Sequence, residues 1–263
     1  MNIRKINRVS FSPTGTTKTV LESIASGMDS KASTLIDMTL PMHDEVICFG
    51  SEDVVIIGAP VYAGRLPVHA VERFRKLKGE HTPVVIVVVY GNREFEDALL
   101  ELKHLVIEQG FVPVSGAAFI GEHSFSTEAF PVAQGRPNSA DIACAKAFGE
   151  AVARKIATLE SLVGVEIDVP GNFPYKNGMP ANSVAPVSMV ACTLCGVCAS
   201  VCPTGAIEVG DDVVTEASLC IRCCACVRSC PHEVRVIEDE AWKAIGVRLH
   251  TNCATPKMPQ LFC

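Results

Sequence analysis

Two runs of cysteines carry the most specific chemistry in this chain. The first is Cys192-x-x-Cys195-x-x-Cys198-x-x-x-Cys202-Pro203. The second repeats it as Cys220-x-x-Cys223-x-x-Cys226-x-x-x-Cys230-Pro231. Thiolates are soft ligands, and four of them suit either zinc or an iron–sulfur cluster. Structural zinc usually takes two Cys-x-x-Cys pairs, with no third ligand in register and no terminal Cys-Pro. Three thiols at i, i+3 and i+6 instead wrap a tight loop around one face of an iron–sulfur cube. This spacing is a recognised cluster pattern, and it stands here twice.

The stretch resembles the two-[4Fe–4S] ferredoxin family. The resemblance implies crossed ligation, because the fourth thiol lies beyond a helical turn, before a proline, and points to the other cube. One expected set is Cys192, Cys195, Cys198 and Cys230. The other is Cys220, Cys223, Cys226 and Cys202.

A second chemistry sits near the N-terminus. Ser12-Pro13-Thr14-Gly15-Thr16-Thr17-Lys18 follows an expected strand, Ile6 to Phe11, and precedes a helix-like stretch, Thr19 to Met28. A hydroxyl- and glycine-rich loop that opens a helix can hold a phosphate, since free N–H groups and the helix dipole favour an anion there. Neither G-x-x-x-x-G-K-[ST] nor G-x-G-x-x-G is present. The alternative is plain helix capping by Ser and Thr. The loop resembles the phosphate loop of flavodoxins, which implies FMN, with Ser12, Thr14, Gly15, Thr16 and Thr17 around its phosphate.

These sites need elements to position them. Thr34 to Met38, Asp53 to Pro60, Thr82 to Tyr90 and Phe111 to Ile120 read as further strands. Asp53 to Pro60 is a continuous apolar run, as expected of a strand buried on both faces, and Thr82 to Tyr90 reads as the next buried strand. Helix-like stretches intervene at Val68 to Lys76, Ala98 to Gln109 and Ser139 to Leu159. The alternation predicts a doubly wound, parallel five-stranded α/β sheet. Ligands of such sheets bind beyond the carboxyl ends of the strands, at the switch point. The segments Pro60-Val61-Tyr62-Ala63-Gly64-Arg65 and Tyr90-Gly91-Asn92-Arg93 leave strands there, so with Phe95 they are the expected flavin contacts. Two of the three tyrosines of the chain, Tyr62 and Tyr90, lie in these segments, and an isoalloxazine ring needs such flat apolar faces. Arg65 and Arg93 are candidates to offset negative charge on the cofactor, each with a solvated loop arginine as the alternative. His123, in the loop after the fifth strand, reads as a hydrogen-bonded structural residue rather than a proton donor.

Taken together, the loops and the cysteine runs resemble the fused flavodoxin–ferredoxin family of anaerobes. The expected organisation is a flavodoxin-like FMN domain at 1–165, a linker at 166–183, a small α+β two-[4Fe–4S] ferredoxin domain at 184–240 and a tail at 241–263. In the linker, Phe173, Pro174 and Tyr175 either pack on a neighbour or stiffen the connection. Residues 250–263 read as irregular.

Thirteen cysteines in a secreted chain would imply disulfides, but eight are claimed by cluster spacing, and such clusters need a reducing compartment. Of the other five, Cys48 and Cys144 read as core residues, Cys224 as a non-ligand, and Cys253 and Cys263 as unreactive. The net charge of −6 and the lack of a dense basic run argue against nucleic acid. Met1 to Arg8 has charges and no apolar core behind it, and Val84 to Val89 is too short to span a bilayer, so a cytoplasmic protein without a membrane partner is expected. The function expected is electron transfer between the clusters and FMN, with a redox protein such as a ferredoxin as donor or acceptor. The alternative is an FMN-dependent oxidoreductase that reduces a quinone, a nitro compound or oxygen with electrons from a reduced ferredoxin. Where cofactors within one chain stand too far apart, a symmetric homodimer brings them together.

Overall fold

The computed structural model describes residues 5–28, 33–41, 45–180 and 183–263. Residues 1–4 of the expected N-terminal stretch and 181–182 of the expected linker lie outside the described residues.

In chain order the first unit contains β1 (Lys5–Ser10), α1 (Thr16–Gly27), β2 (Ser33–Asp37), β3 (Ile47–Phe49), β4 (Asp53–Pro60), α2 (Val68–Phe74), β5 (Leu77–Gly79), β6 (Thr82–Tyr90), α3 (Ala98–Glu108), β7 (Phe111–Ile120) and α4 (Ser139–Thr158). Then come β8 (Val187–Ser188), α5 (Val197–Ser200), β9 (Ile207–Val209), β10 (Val213–Thr215), α6 (Ala225–Arg228), β11 (Arg235–Val236), α7 (Glu240–Asn252) and β12 (Gln260–Phe262).

The main sheet has the order β12-β7-β6-β4-β1-β2. Its five expected strands are parallel neighbours. Their order is that of flavodoxin-like doubly wound sheets, in which the switch point lies between the first and third of the five strands. Here that point is between β1 and β4. The central strand β6 is buried at every position, and its valines alternate between two cores. Val84, Ile86 and Val88 pack with Phe74, Leu99 and Leu102 on one face of the sheet. Val85, Val87 and Val89 pack with Leu21, Ile24, Phe148 and Val152 on the other. Apolar side chains on both faces suit a sheet covered by helices on both sides, which is why these runs showed no polar alternation.

The sheet has six strands, not five. β12 pairs antiparallel with β7, matching Gln260 with Ala118 and Phe262 with Gly116. The end of the chain therefore closes an edge that would otherwise expose unpaired backbone. Residues 250–263 are not irregular throughout, since α7 runs to Asn252 and β12 follows.

The stretch expected as a linker is docked on the first unit, and Ile167 and Val169 at its start lie in that unit's core. Asp97 is buried and accepts from the N–H of Asn172 and of Lys176, both at 2.8 Å. Tyr175 bonds His104 at 2.6 Å and meets Phe173 edge to face. Phe173 and Tyr175 thus pack against α3 of the first unit.

The second unit is small. β8 pairs with β11 and β9 with β10, both antiparallel. Each cysteine run turns into a four-residue helix, α5 or α6. The unit holds to the first at several points. Ile221 packs against the main core. Arg73 donates to the carbonyl of Pro203 at 2.5 Å, and Arg228 donates to the carbonyl of His123 at 2.7 Å. Among the described residues, no helix is long and apolar enough to cross a membrane.

Candidate functional site

A large cavity, about 440 Å³, opens at the carboxyl ends of β4, β6 and β7. This is within the size range of small-ligand sites. Among the expected residues it is lined by Thr14, Thr16, Pro60, Val61, Tyr62, Ala63, Tyr90, Gly91 and Arg93.

The loop before α1 reaches it from below. Gly15 is the N-cap residue at φ 84°, a conformation that glycine tolerates without strain, and it has no side chain with which to cap the helix. A Cβ built on Gly15 would meet nothing within 4 Å. The space over Gly15 is therefore open, while the Ser12 hydroxyl supplies a capping contact to the first turn of α1, so the loop combines both features. Ser12 is buried, and its hydroxyl accepts from the Lys18 N–H at 3.1 Å. Thr17 is fully buried beneath the loop, and its hydroxyl has no partner.

The loop after β4 forms a two-residue turn closed by Tyr62 and Arg65, with Ala63 and Gly64 both at positive φ. A turn of that kind needs positive φ at both central positions. It sets Tyr62 on the cavity wall, with its hydroxyl bonded to Ser124 and burial pushing the phenol well above its usual range. Tyr90 is buried, and its hydroxyl has no partner. Burial pushes that phenol up to about 12.

Four expected residues point elsewhere. Phe95 is a core residue, 5.4 Å from the Tyr90 ring but off the cavity wall. Gly64 lies beneath the turn and not on the wall, against the Glu96 side chain. Asn92 is buried, and its amide donates to the carbonyls of Cys253 (2.7 Å) and Thr255 (2.9 Å) while accepting from Lys257. It is a clamp for the C-terminal tail. Arg65 pairs in a bidentate bond with Glu101 at 2.7 and 2.8 Å and lies over the Tyr175 ring, so it offers no charge to the cavity. Arg93 does line the cavity, paired with Glu96 at 2.8 Å.

His123 also lines the cavity. Burial, and then the charges of Arg93 and Arg228, lower its pKa to about 4. The Phe125 N–H donates to Nδ1 at 3.0 Å, so the neutral ring carries its proton on Nε2. Gly91 leaves room for the ring, since a Cβ there would lie 2.3 Å from Cδ2 of His123.

The rest of the wall comes from parts of the chain that sequence reasoning did not bring here. Lys176, Met179 and Pro180 come from the linker, Arg222 from the second cysteine run, and Ile245, Arg248 and Leu249 from α7. Arg222 donates to the carbonyl of Pro180 at 3.3 Å. No local signal marks these residues, because their place depends on how the second unit and the tail fold back.

The thiols gather around two smaller cavities. One is lined by Cys192, Cys195, Cys198 and Cys230. The other is lined by Cys202, Cys220, Cys223 and Cys226, with Cys224 beside them. Each cavity thus draws three thiols from one run and one from the other. Cys195 is exposed, whereas Cys223, Cys224 and Cys226 are buried. Cys223 and Cys224 lie close enough to Tyr62 to act on its phenol. With Arg222 on the large cavity and Cys223 on the second thiol cavity, these two adjoin; the first thiol set, which holds the exposed Cys195, is termed the outer set and the second the inner. Of the remaining cysteines, Cys48 is exposed on β3 rather than in the core, Cys253 is buried and Cys263 is exposed.

Residues 185–208, which include the first cysteine run, match the family described as "4Fe-4S binding domain". A search of curated proteins found no match. Among solved structures, the chain is similar to a flavodoxin from the domain Archaea, at 17% identity and TM-score 0.40, over 59% of this chain and 99% of that one. It is similar to oxidised flavodoxin 1 from Bacillus cereus, at 16% identity and TM-score 0.41, over 60% and 100%. It is also similar to rubredoxin oxygen:oxidoreductase from Desulfovibrio gigas, at 14% and 0.39, over 61% of this chain and 37% of that one.

Proposed function

We propose that the chain is an electron-transfer protein that passes electrons between two [4Fe–4S] clusters and FMN. The observation that carries this reading is the shared wall. Arg222 lines the large cavity, and its neighbours Cys223 and Cys224 line the second thiol cavity and act on Tyr62 across it. Clusters exchange single electrons and FMN takes one or two, so the pair adapts one-electron to two-electron chemistry.

The residues fit both kinds of cofactor. The start of α1, with open space over Gly15 and Thr14 and Thr16 on the cavity wall, suits a phosphate. Tyr62 and Tyr90 both line the cavity and suit a flat ring, Tyr90 from within the main core. Cys192, Cys195, Cys198 and Cys230 would hold the outer cluster, and Cys202, Cys220, Cys223 and Cys226 the inner one. A redox protein such as a ferredoxin would exchange electrons at the outer set, where Cys195 is exposed. The approach is made within one chain, so passage needs no second copy.

Two observations favour a carrier over an oxidoreductase acting on a small acceptor. Helix α7 covers part of the large cavity with Ile245 and Leu249. His123 is neutral and already bonded, which makes it a weak proton donor.

The test is an anaerobic spectrum with iron, sulfide and flavin counts on purified protein. One FMN and about eight iron atoms per chain are expected, as two four-iron clusters require. Tightly bound zinc, or iron near about four per chain, would overturn the two-cluster reading.

A further inference from the structure

Arg222 stands between two cysteines of the inner set, Cys220 and Cys223, yet it lines the large cavity and neither thiol cavity. The repeated run offers an internal comparison. Arg222 and Leu194 each precede the second cysteine of a run, and both hold positive φ, 54° and 57°. Leu194 is exposed. The same turn thus carries a leucine where it meets solvent and an arginine where it meets the cavity. The backbone calls for neither side chain, since positive φ favours glycine.

The Arg222 guanidinium is short of partners. Its Nε is buried and unbonded, and its one printed-length contact is the 3.3 Å bond to the neutral Pro180 carbonyl. Among the described residues no carboxylate forms an ion pair with it. The rest of the wall leaves this charge uncompensated. Arg93 and Lys176 share one carboxylate, Glu96, at 2.8 and 2.6 Å. Glu122, the one acidic residue among those that line the cavity, is engaged by Arg228 at 3.2 Å. A chain of net charge −6 therefore holds a cavity with an excess of positive charge. A guanidinium keeps its charge, and away from bulk water that charge favours an anion beside it.

We propose that Arg222 is the counter-charge of the reduced flavin ring. The inference rests on the FMN reading above. Two electrons and one proton convert the neutral ring to a monoanion. The electrons come one at a time from the clusters, which are oxidised in turn, and the proton comes from solvent. A fixed cation beside the ring favours the reduced form over the oxidised one, so it raises the flavin potential and biases the relay from the clusters towards the flavin. The phosphate is negative in both states, so a cation that served the phosphate alone would leave the potential unmoved.

The experiment measures FMN affinity and flavin reduction potential, anaerobically against a reference dye, in the wild-type protein, Arg222→Lys and Arg222→Gln. In Arg222→Gln the ratio of reduced to oxidised flavin at a given potential should fall about tenfold, equivalent to about 30 mV for a two-electron couple. Oxidised FMN should bind nearly as before. Arg222→Lys should keep most of the wild-type ratio. Because Arg222 lies within a cysteine run, the same substitutions are compared in a Cys202→Ala background, where the inner cluster is disrupted in every protein, and the fall should persist there. An unchanged ratio in Arg222→Gln, equal weakening or loss of FMN in both states, or an equal fall in Arg222→Lys overturns the proposal. A fall that vanishes in the Cys202→Ala background traces to the cluster and overturns it as well. A wild-type protein that binds no FMN instead overturns the reading on which it rests.

Discussion

Gly15 is the residue at which the two kinds of cofactor can be separated. Its φ of 84° and the open space above it leave room, on the reading proposed above, for a ligand to approach the start of α1. A β-branched side chain would both fill that space and pay about 1–2 kcal/mol for the left-handed conformation. Gly15→Val should therefore emerge from gel filtration without flavin but with its iron and sulfide intact. Full retention of flavin would mean that the phosphate binds elsewhere. His123 gives a prediction of a different kind. Its folded pKa is about 4, against an ordinary value of about 6.5. The unfolded chain takes up the proton first, so stability should fall as pH drops below about 6.5 and level off below about 4. Urea midpoints at successive pH values should show this slope in the wild type and a shallower one in His123→Gln. Equal slopes would mean that the ring is charged in the folded chain. At this scale the sequence was legible where a residue's role is local. Thr14, Gly15, Tyr62 and Tyr90 stand at strand ends, and the pattern of strands alone locates them. Asn92, Arg65 and Phe95 sit in the same loops, yet their side chains answer to distant partners: Asn92 to Cys253 and Thr255, Arg65 to Glu101, Phe95 to the core. Sequence spacing says where a loop goes but not which way each of its side chains turns.

Among the elements, β12 and the placement of α7 over the cavity contribute most that the sequence did not disclose. β12 is three residues long, too short for a period-two pattern to stand out, and its pairing with β7 spans more than a hundred positions. Only the folded sheet reveals that the edge beside β7 needs covering. The pairing fixes the tail at one end, and the Asp239 cap fixes α7 at the other, by accepting from the Trp242 N–H at 2.7 Å. Asn92 and Lys257 hold the stretch between, and Lys257 bonds Glu94 and the Arg93 carbonyl in the loop after β6. Ile245 and Leu249 are thereby pressed over the large cavity. A chain ending at Asp239 should bind flavin but release it on the order of tenfold faster, the equivalent of about 1.4 kcal/mol of lost burial. Dilution into excess apoflavodoxin, with fluorescence as the readout, measures that rate. An unchanged rate would mean that the tail closes the sheet edge and does nothing for the site. Asn92→Ala should give a smaller change in the same direction, because it frees the tail without removing it.

At the scale of the whole molecule, the arrangement of the three cavities sets an order. The outer thiol set includes the exposed Cys195, and the inner set backs onto Tyr62 and Arg222 at the large cavity. Electron tunnelling falls steeply with distance, so a chain that fuses redox units gains only if their centres approach. The contacts between the units show how approach is maintained: Ile221 packs against the first unit's core, Arg73 holds the Pro203 carbonyl, and the connecting stretch is tied to Asp97. These hold the inner set in place, not the outer one. The order predicts unequal effects for the two sets. Cys202 stands in the first run but lines the inner cavity, so Cys202→Ala should damage the cluster of the second run and leave that of its own run intact. In anaerobic stopped flow with a reduced ferredoxin as donor, with flavin and cluster absorbance followed separately, Cys202→Ala should reduce its outer cluster at the normal rate. Its flavin should then lag far behind the wild type. NADH should be a poor direct donor to either protein, since no dinucleotide fingerprint is present. Flavin reduction in Cys202→Ala as fast as in the wild type would end the relay, because electrons would then reach the large cavity without crossing the wall at Tyr62. Rapid hydride transfer from NADH would point instead to an enzyme that works at the flavin alone.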